Sequence, residues 1–199
     1  MRNHLQYTWW QYLAVILAPI VIWCSLFSSL AAPKPQEQLD ILCIGQNWSV
    51  AELQTELEAV MPQISRQPLQ KITVDILAPA ELTDNLITAR CFDYDILIFE
   101  AAYFPVNGGQ RFFARLTEEL MNHFPENDFY QESVEGGTLC FGLKAQDSSR
   151  LHRYYTGQDT LLLFMSPYSV NFNGLNEYGN PGYDAALKAL QHLLERTTP

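Results

Sequence analysis

The stretch Leu39–Val60, LDILCIGQNWSVAELQTELEAV, decides the fold, because its spacing changes from strand-like to helical at a single turn. Its first part, Leu39–Ile44, is a short and mostly apolar run with Ile and Leu on either side of Cys43, which is typical of a strand buried on both faces. After Gly45 the apolar residues recur at helical spacing, at positions 50, 53, 57, 60 and 64. Ser49 and Glu52 match a capping box and predict that the helix begins there. A strand, a tight turn and a capped helix are typical of the first unit of an α/β domain, and ligands often bind beside that turn.

Two more strands follow with a helix between them. The patterns predict a strand over Lys71–Ala78, a helix over Ala80–Cys91 that starts near Pro79, and a strand over Tyr94–Ala101. Strands that alternate with helices are usually joined by right-handed crossovers and run parallel. We therefore predict an α/β domain with a mainly parallel sheet flanked by helices.

The second half of the domain has weaker patterns. An amphipathic helix is predicted over Gln110–Phe124, with Pro125 ending it. The remaining predicted elements are two strands, a long loop and a last helix: Thr138–Lys144, Thr160–Met165, 166–179, and a helix that starts at Asn180 and Pro181.

The N-terminal segment predicts a transmembrane helix over Leu13–Ala32. These 20 residues are uncharged and mostly apolar, and a helix of that length spans a bilayer core of about 30 Å. Trp9, Trp10 and Tyr12 precede the run, where interfacial aromatic residues are common. The predicted organisation is a cytoplasmic N-terminus at 1–12, a membrane span at 13–32, a linker at 33–38 and an extracytoplasmic domain at 39–199.

A cleaved signal peptide is the alternative for this segment, because the sequence SLA at 29–31 resembles a cleavage site. We favour an uncleaved anchor, since the apolar run is longer than the roughly 7–15 residues of a signal peptide. Arg2, His4 and the terminal amine precede the run, and Lys34 follows it. By the positive-inside rule we expect the N-terminus inside, a single-pass protein of the cell membrane, and the domain outside.

The composition limits the partners. The 199-residue chain has a net charge of −10, and Arg2 is the one basic residue before Pro33, so 22 acidic and 11 basic residues remain beyond it. Nucleic acid is therefore a poor partner for the domain. About 165 residues suffice for one domain and are too few for two comfortable ones.

The sequence predicts no metal, cofactor or enzymatic site. The four cysteines and four histidines show no metal-ligand spacing, and no catalytic motif is present. Cys43 and Cys140 could form a disulfide only if their strands were neighbours.

Polar and aromatic residues follow the predicted first and third strands. Ligands of parallel sheets bind beyond the carboxyl ends of the strands, and the helix that starts near Ser49 would add free N–H groups there. The alternative is that the aromatic residues only close the top of the core. Further polar residues of the long loop, with Asn173 among them, could line the same rim. The predicted ligand-binding residues, with Gln46 beside them, are Asn47, Trp48, Glu100, Tyr103, Phe104, Tyr168 and Asn171.

Three stretches together resemble a known family. LDILCIGQN at 39–47, YDILIFEAAYF at 94–104 and the ending from 161 to 195 are similar to extracellular solute-binding proteins of ABC transporters, of the type II periplasmic-binding fold. The residues of the ending that match are Asn180, Pro181, Ala185, Leu190 and Leu194.

The chain departs from this family in two ways, and the first is that its length suits one lobe rather than two. Such receptors close two lobes over a ligand, whereas only 35 residues lie here between Phe124 and Thr160. They are also usually held by a lipid-modified cysteine, where this chain has a predicted helix. The expectation is a reduced, membrane-tethered relative that captures a small solute for an ABC permease or assists the transporter. The alternative is a non-catalytic interaction module that docks a membrane protein and binds no small molecule.

Overall fold

The N-terminal unit is one helix. A computed structural model describes residues 2–31, 33–66, 68–147, 149–171 and 184–196, and the chain divides into a unit ending at Lys34 and a second one from Pro35 onward. Helix α1 covers Arg2–Ala31 with Pro19 inside it. Its segment Trp9–Phe27 has a mean hydropathy of 1.8 over 19 residues and is long and apolar enough, by length and composition, to cross a membrane. The prediction of one N-terminal apolar helix is confirmed.

The second unit is an α/β domain built on a six-stranded sheet. Its helices are α2 (Val50–Ile64), α3 (Asp84–Asp93), α4 (Gly108–Phe112), α5 (Glu118–Met121) and α6 (Ala185–Leu194). Its strands are β1 (Gln38–Ile44), β2 (Lys71–Leu77), β3 (Ile96–Glu100), β4 (Asp128–Val134), β5 (Gly137–Lys144) and β6 (Leu161–Met165). Short 3-10 turns cover Pro35–Glu37, Pro79–Glu81, Ala101–Tyr103 and Arg150–Arg153.

The sheet is mixed, with strand order β2-β1-β3-β6-β5-β4. Strand β1 pairs in parallel with β2 and β3, as the helical crossovers predict. The other three pairs are antiparallel, so the predicted α/β class is confirmed and the prediction of a mainly parallel sheet is wrong. One antiparallel pair has a local cause, because the tight turn at Glu135 and Gly136 folds β4 back onto β5. The other two pairs arise because β6 enters between β5 and β3 against the direction of β3.

Strand β4 was not predicted from the sequence. Its residues, DFYQESV, precede the Glu135-Gly136 turn, and only β5 was predicted there.

Cys43 and Cys140 do not form a disulfide. Strands β3 and β6 separate β1 from β5, so the two cysteines are not on neighbouring strands, and both are free thiols.

The core lies on both faces of the sheet. In β1, Leu39, Ile41 and Cys43 face the side covered by α2 and α6, whereas Leu42 and Ile44 face the side covered by α3 and α4. All five side chains are at most 2 % exposed. The prediction of a strand buried on both faces is therefore confirmed.

The predicted helix over 110–124 is wrong, although its apolar residues are buried. The chain forms α4 before Phe113 and α5 around Leu120, with an extended segment between them. Phe113 joins the cluster on one face of the sheet, while Leu116 and Leu120 join the cluster on the other. Because one straight helix could not serve both faces, the chain crosses over, and the Leu116 N–H donates to the Cys140 carbonyl at 2.9 Å.

Helix α2 begins at the predicted position without the predicted capping box. The Ser49 side chain makes no capping hydrogen bond. The backbone N–H of Ser49 donates to the Tyr154 carbonyl at 2.8 Å. Helix α3 begins at Asp84 rather than near Pro79, and there the Thr83 hydroxyl accepts from the Leu86 N–H at 3.3 Å. The side-chain cap is thus present on α3 and missing on α2.

We expect Thr83→Ala to lower the free energy of unfolding by about 1 kcal/mol, the usual loss for an N-cap hydroxyl. The matched variant Ser49→Ala should change it by less than about 0.5 kcal/mol, because no cap is lost. Urea unfolding of the full chain in detergent, followed by circular dichroism, measures both. Equal losses would contradict the assignment of the two helix starts.

Candidate functional site

The turn after β1 lies over a buried carboxyl group, that of Glu100 at the end of β3. Glu100 is 2 % exposed, and the Gln46 N–H donates to its Oε1. The Tyr155 hydroxyl is a second hydrogen-bond partner. Burial raises the pKa of Glu100 above its usual value, while these two donors act in the opposite direction. The hydrogen bonds of the Glu100 carboxyl group thus fix the turn after β1.

Residues 154–156 cover the outer side of this turn. The Trp48 ring packs on the Tyr155 ring with centroids 4.9 Å apart, and the two residues form an antiparallel backbone bridge. The Thr156 N–H donates to the Asn47 carbonyl at 3.1 Å. Asn47 itself stays exposed, whereas Trp48 is half-buried against the core. Tyr155, which sequence reasoning missed, lies in a connection without any motif and is placed here by β6.

The aromatic residues predicted to bind ligand after β3, Tyr103 and Phe104, pack against the core rather than forming a rim. The Phe104 ring stacks on Phe164 with centroids 4.4 Å apart and meets Phe99 edge-on at 4.9 Å. Tyr103 ends the short 3-10 turn and is half-buried. For Trp48 and Phe104, the alternative interpretation, in which they close the top of the core, describes their packing.

Tyr168 and Asn171 lie at the opposite edge of the sheet, which is the edge where β3 begins and β6 ends. Because β6 is antiparallel to β3, its last residue Met165 pairs with the first residue of β3, Ile96. The Asn171 amide therefore reaches the start of β3, where it donates to Asp95 Oδ2 at 3.0 Å. The single rim expected from Asn47 to Asn171 does not form. Asn173 lies outside the described residues.

Asp95 is the centre of a buried cluster at that opposite edge. It is 7 % exposed and accepts from the Ser169 hydroxyl, from Asn171 and from the Asp40 N–H at 3.0 Å. Burial raises its pKa to about 6 although these three donors lower it. Beside it a cleft of about 280 Å³ is bordered by Phe92 and Tyr168, whose exposed rings stack at 3.9 Å.

A larger cleft, of about 600 Å³, lies where the ends of α2 and α6 meet the loop before β4. We call it the α6 cleft. Buried Phe124 and Leu194 supply apolar surface, and half-buried Ile64 adds to it. The lining residues are Ile64, His123, Phe124, Pro125, Glu126, Asn127, Gln146, Lys188, Gln191, His192, Leu194, Glu195 and Arg196.

Hydrogen bonds among three separate segments fix the polar side of the α6 cleft. Arg196 Nε donates to Gln146 Oε1 at 3.1 Å, and Gln146 Nε2 donates to the Glu126 carbonyl at 2.8 Å. His192 Nε2 lies 2.7 Å from Glu56 Oε1, which ties α6 to α2. The cleft wall is therefore pre-formed, and no residue in it was predicted from the sequence.

Among the described residues, no three His, Cys, Asp or Glu side chains are grouped closely enough to hold a metal ion. Comparison of the chain with protein-family models, with curated proteins and with solved structures gave no match. The function is therefore argued from the residues alone.

We expect Gly45→Ala to destabilise the domain severely. Gly45 has φ +150°, and an added Cβ would lie 2.1 Å from Glu100 Oε1, so the variant must break the contact that holds the turn. Gly137→Ala is the matched control, because φ is +146° there and nothing lies within 4 Å of the added Cβ. Backbone strain of about 1–3 kcal/mol is common to both. In denaturant unfolding Gly45→Ala should lose clearly more; a similar loss in both variants would refute the role of Glu100.

The raised pKa of Asp95 predicts a pH-dependent stability. The folded state binds the proton more tightly than the unfolded state, whose Asp pKa is about 3.9. The stabilisation is thus fully present below about pH 4 and is lost as the pH rises through about 6. The free energy of unfolding of wild type minus that of Asp95→Asn should therefore fall by up to about 3 kcal/mol as the pH rises from about 4 to neutral. Unfolding of both proteins across this range measures it, and a constant difference would contradict the prediction.

Proposed function

We propose that this chain is a membrane-anchored, extracytoplasmic binding domain, comparable to one reduced lobe of a solute-binding protein. It captures a small solute for an ABC permease or assists the transporter in another way. The observation that carries the proposal is the α6 cleft of about 600 Å³, because small-molecule pockets usually measure about 300–1,000 Å³ and combine apolar walls with a few placed polar groups.

The α6 cleft supports binding better than the turn after β1 does. The turn is covered by Tyr155 and Thr156 and held from below by Glu100. The cleft, in contrast, is open and has a preformed polar wall. Pre-organised polar groups lose little freedom on binding, which favours affinity.

The lining of the cleft supports binding without chemistry. No Ser, Thr or Cys is among the residues that line it in the described part of the chain, so it offers no hydroxyl or thiol nucleophile of the usual kind. Its Arg196 and Gln146 side chains are hydrogen-bonded to one another. Such groups orient a ligand rather than transform it.

The apolar helix supports attachment to a membrane. Every described side chain from Trp9 to Phe27 is exposed, and water alone would not favour such a surface. Length and composition suit both a membrane anchor and an export signal. Both lead the domain out of the cytoplasm, and Arg2 at the start of the helix, before the apolar segment, favours an inside N-terminus.

A second function, docking of a membrane protein, is favoured by a different observation. The stacked rings of Phe92 and Tyr168 are 62 % and 40 % exposed and lie beside Pro35 and Gln38 at the start of the domain. Exposed aromatic pairs are typical of protein interfaces. In this alternative the chain binds its partner there and takes no small molecule.

We expect a small solute from a metabolite panel to raise the melting temperature of the full chain in detergent. Gln191→Trp fills the α6 cleft and should abolish that rise, whereas Gln46→Trp is the matched change on the turn and should leave it intact. Circular dichroism of both variants checks folding. The reverse result would place the site at the turn. If no solute acts and photocrosslinking from Phe92 in intact cells links the chain to one membrane protein, the docking function replaces the proposed one.

A further inference from the structure

We infer that the α6 cleft selects a small carboxylate with an apolar body, and that Lys188 binds the carboxylate. The inference rests on the proposed function, since it names the class of solute. It is carried by the distribution of charge in the cleft, by the pairing of each charged group, and by the position of the apolar wall.

Basic residues gather in this cleft although the domain is acidic. Beyond Pro33 the chain has twice as many acidic as basic residues, 22 against 11. Yet Lys188 and Arg196 line the cleft together with His123 and His192, which are two of the three histidines beyond Pro33. The lining has two Glu residues against one Lys and one Arg, so it is less acidic than the domain as a whole, and an anion is repelled less here.

The two carboxylates of the cleft are already paired. Glu126 lies 3.7 Å from Arg196 Nε, and Glu195 lies 2.7 Å from an Arg150 nitrogen. Arg150 also lies 3.4 Å from Glu56, so two carboxylates share this guanidinium. Each carboxylate that lines the cleft thus has a guanidinium partner, whereas Lys188 has no carboxylate partner in the described part of the chain.

Lys188 is the cation that remains available. Its ammonium donates to Gln191 Oε1 at 3.1 Å, and within the described residues it makes no ion pair. An ammonium group has three donors, so two stay free for the oxygens of a carboxylate. Lys188 is half-buried, and an ion pair formed there is screened less by solvent than one on the surface.

The carbonyl ends of α2 and α6 both border the cleft and favour cations. Ile64 and Leu194 are the last residues of these helices, and the Arg66 N–H donates to Asp184 Oδ1 at 3.2 Å, so the end of α2 lies beside the start of α6. Each helix end is equivalent to only about half a negative charge, whereas the Lys188 ammonium carries a full positive charge.

The apolar wall decides the rest of the ligand. Phe124 and Leu194 are 3 % and 5 % exposed, and Ile64 packs beside the core. A carboxylate with a branched aliphatic body can bury that body here while its head group reaches Lys188. Inorganic anions would gain the charge contact alone.

Three probes that share a 3-methylbutyl body and differ in the head group test the charge selectivity: 4-methylpentanoate, 4-methylpentanamide and 3-methylbutylamine. Titration calorimetry on the full chain in detergent should show binding of the carboxylate, with the amide and the amine at least about tenfold weaker. Added salt should weaken binding of the carboxylate, because it screens the charge of Lys188. Equal binding of the amide, or preference for the amine, overturns the inference.

Variants of Lys188 test the assigned role. Lys188→Gln removes the charge, so it should weaken the affinity for 4-methylpentanoate by about tenfold or more and abolish the effect of salt on that affinity. Lys188→Arg keeps the charge and should keep most of the affinity. Lys144→Gln, a matched change on β5, should bind like wild type. Unchanged affinity in folded Lys188→Gln overturns the inference.

The two proposals fail in different ways. If some neutral or cationic solute binds in the α6 cleft and is blocked by Gln191→Trp, the solute-binding function stands and the carboxylate class is wrong. If the folded wild-type protein binds neither the probes nor any solute of the panel, the proposed function fails and this inference fails with it.

Discussion

The structure depends most on one constraint, which is that β6 enters the sheet between β3 and β5 and runs against β3. Glu100 pairs with Leu161 and Ile96 pairs with Met165. The segment before β6 is thereby carried over the turn that follows β1, and the segment after β6 is carried to the other edge, beside Asp95. Had β6 run parallel to β3, residues after it would have joined Asn47 and Trp48 in one rim.

Both ends of β3 carry a buried carboxyl group that this arrangement satisfies. Asp95 receives hydroxyl, amide and N–H donors from Ser169, Asn171 and Asp40, and Glu100 receives the Gln46 N–H and the Tyr155 hydroxyl. Neither makes an ion pair within the described residues. A buried carboxyl group with too few donors would be strongly destabilising, so the two groups favour the register of β6 that brings the Ser169, Asn171 and Tyr155 donors to them.

The elements predicted correctly from the sequence are those whose signal is local. The apolar run of β1 and the helical spacing of α2 lie within a short stretch, and the crossovers orient β1, β2 and β3. The direction of β6 has no such signal, because a run that is buried on both faces reads the same in either direction. The 110–124 segment misled for a related reason: Phe113 and Leu116 fit one helical stripe but pack on opposite faces of the sheet.

The candidate site followed from the sequence even less, because most of the contacts that shape it join distant segments. The pairs Gln46–Glu100 and His192–Glu56 are separated by 54 and 136 residues. A turn beside a parallel sheet binds ligands when its backbone groups are free. Here the Gln46 N–H and the Asn47 carbonyl are hydrogen-bonded to Glu100 and Thr156. The α6 cleft arises where no secondary-structure rule places a site, at the junction of α2, α6 and the loop before β4. Its polar groups are held by one another, while the Lys188 ammonium keeps donors that no described residue uses, and for this reason we propose the α6 cleft, rather than the turn, as the binding site.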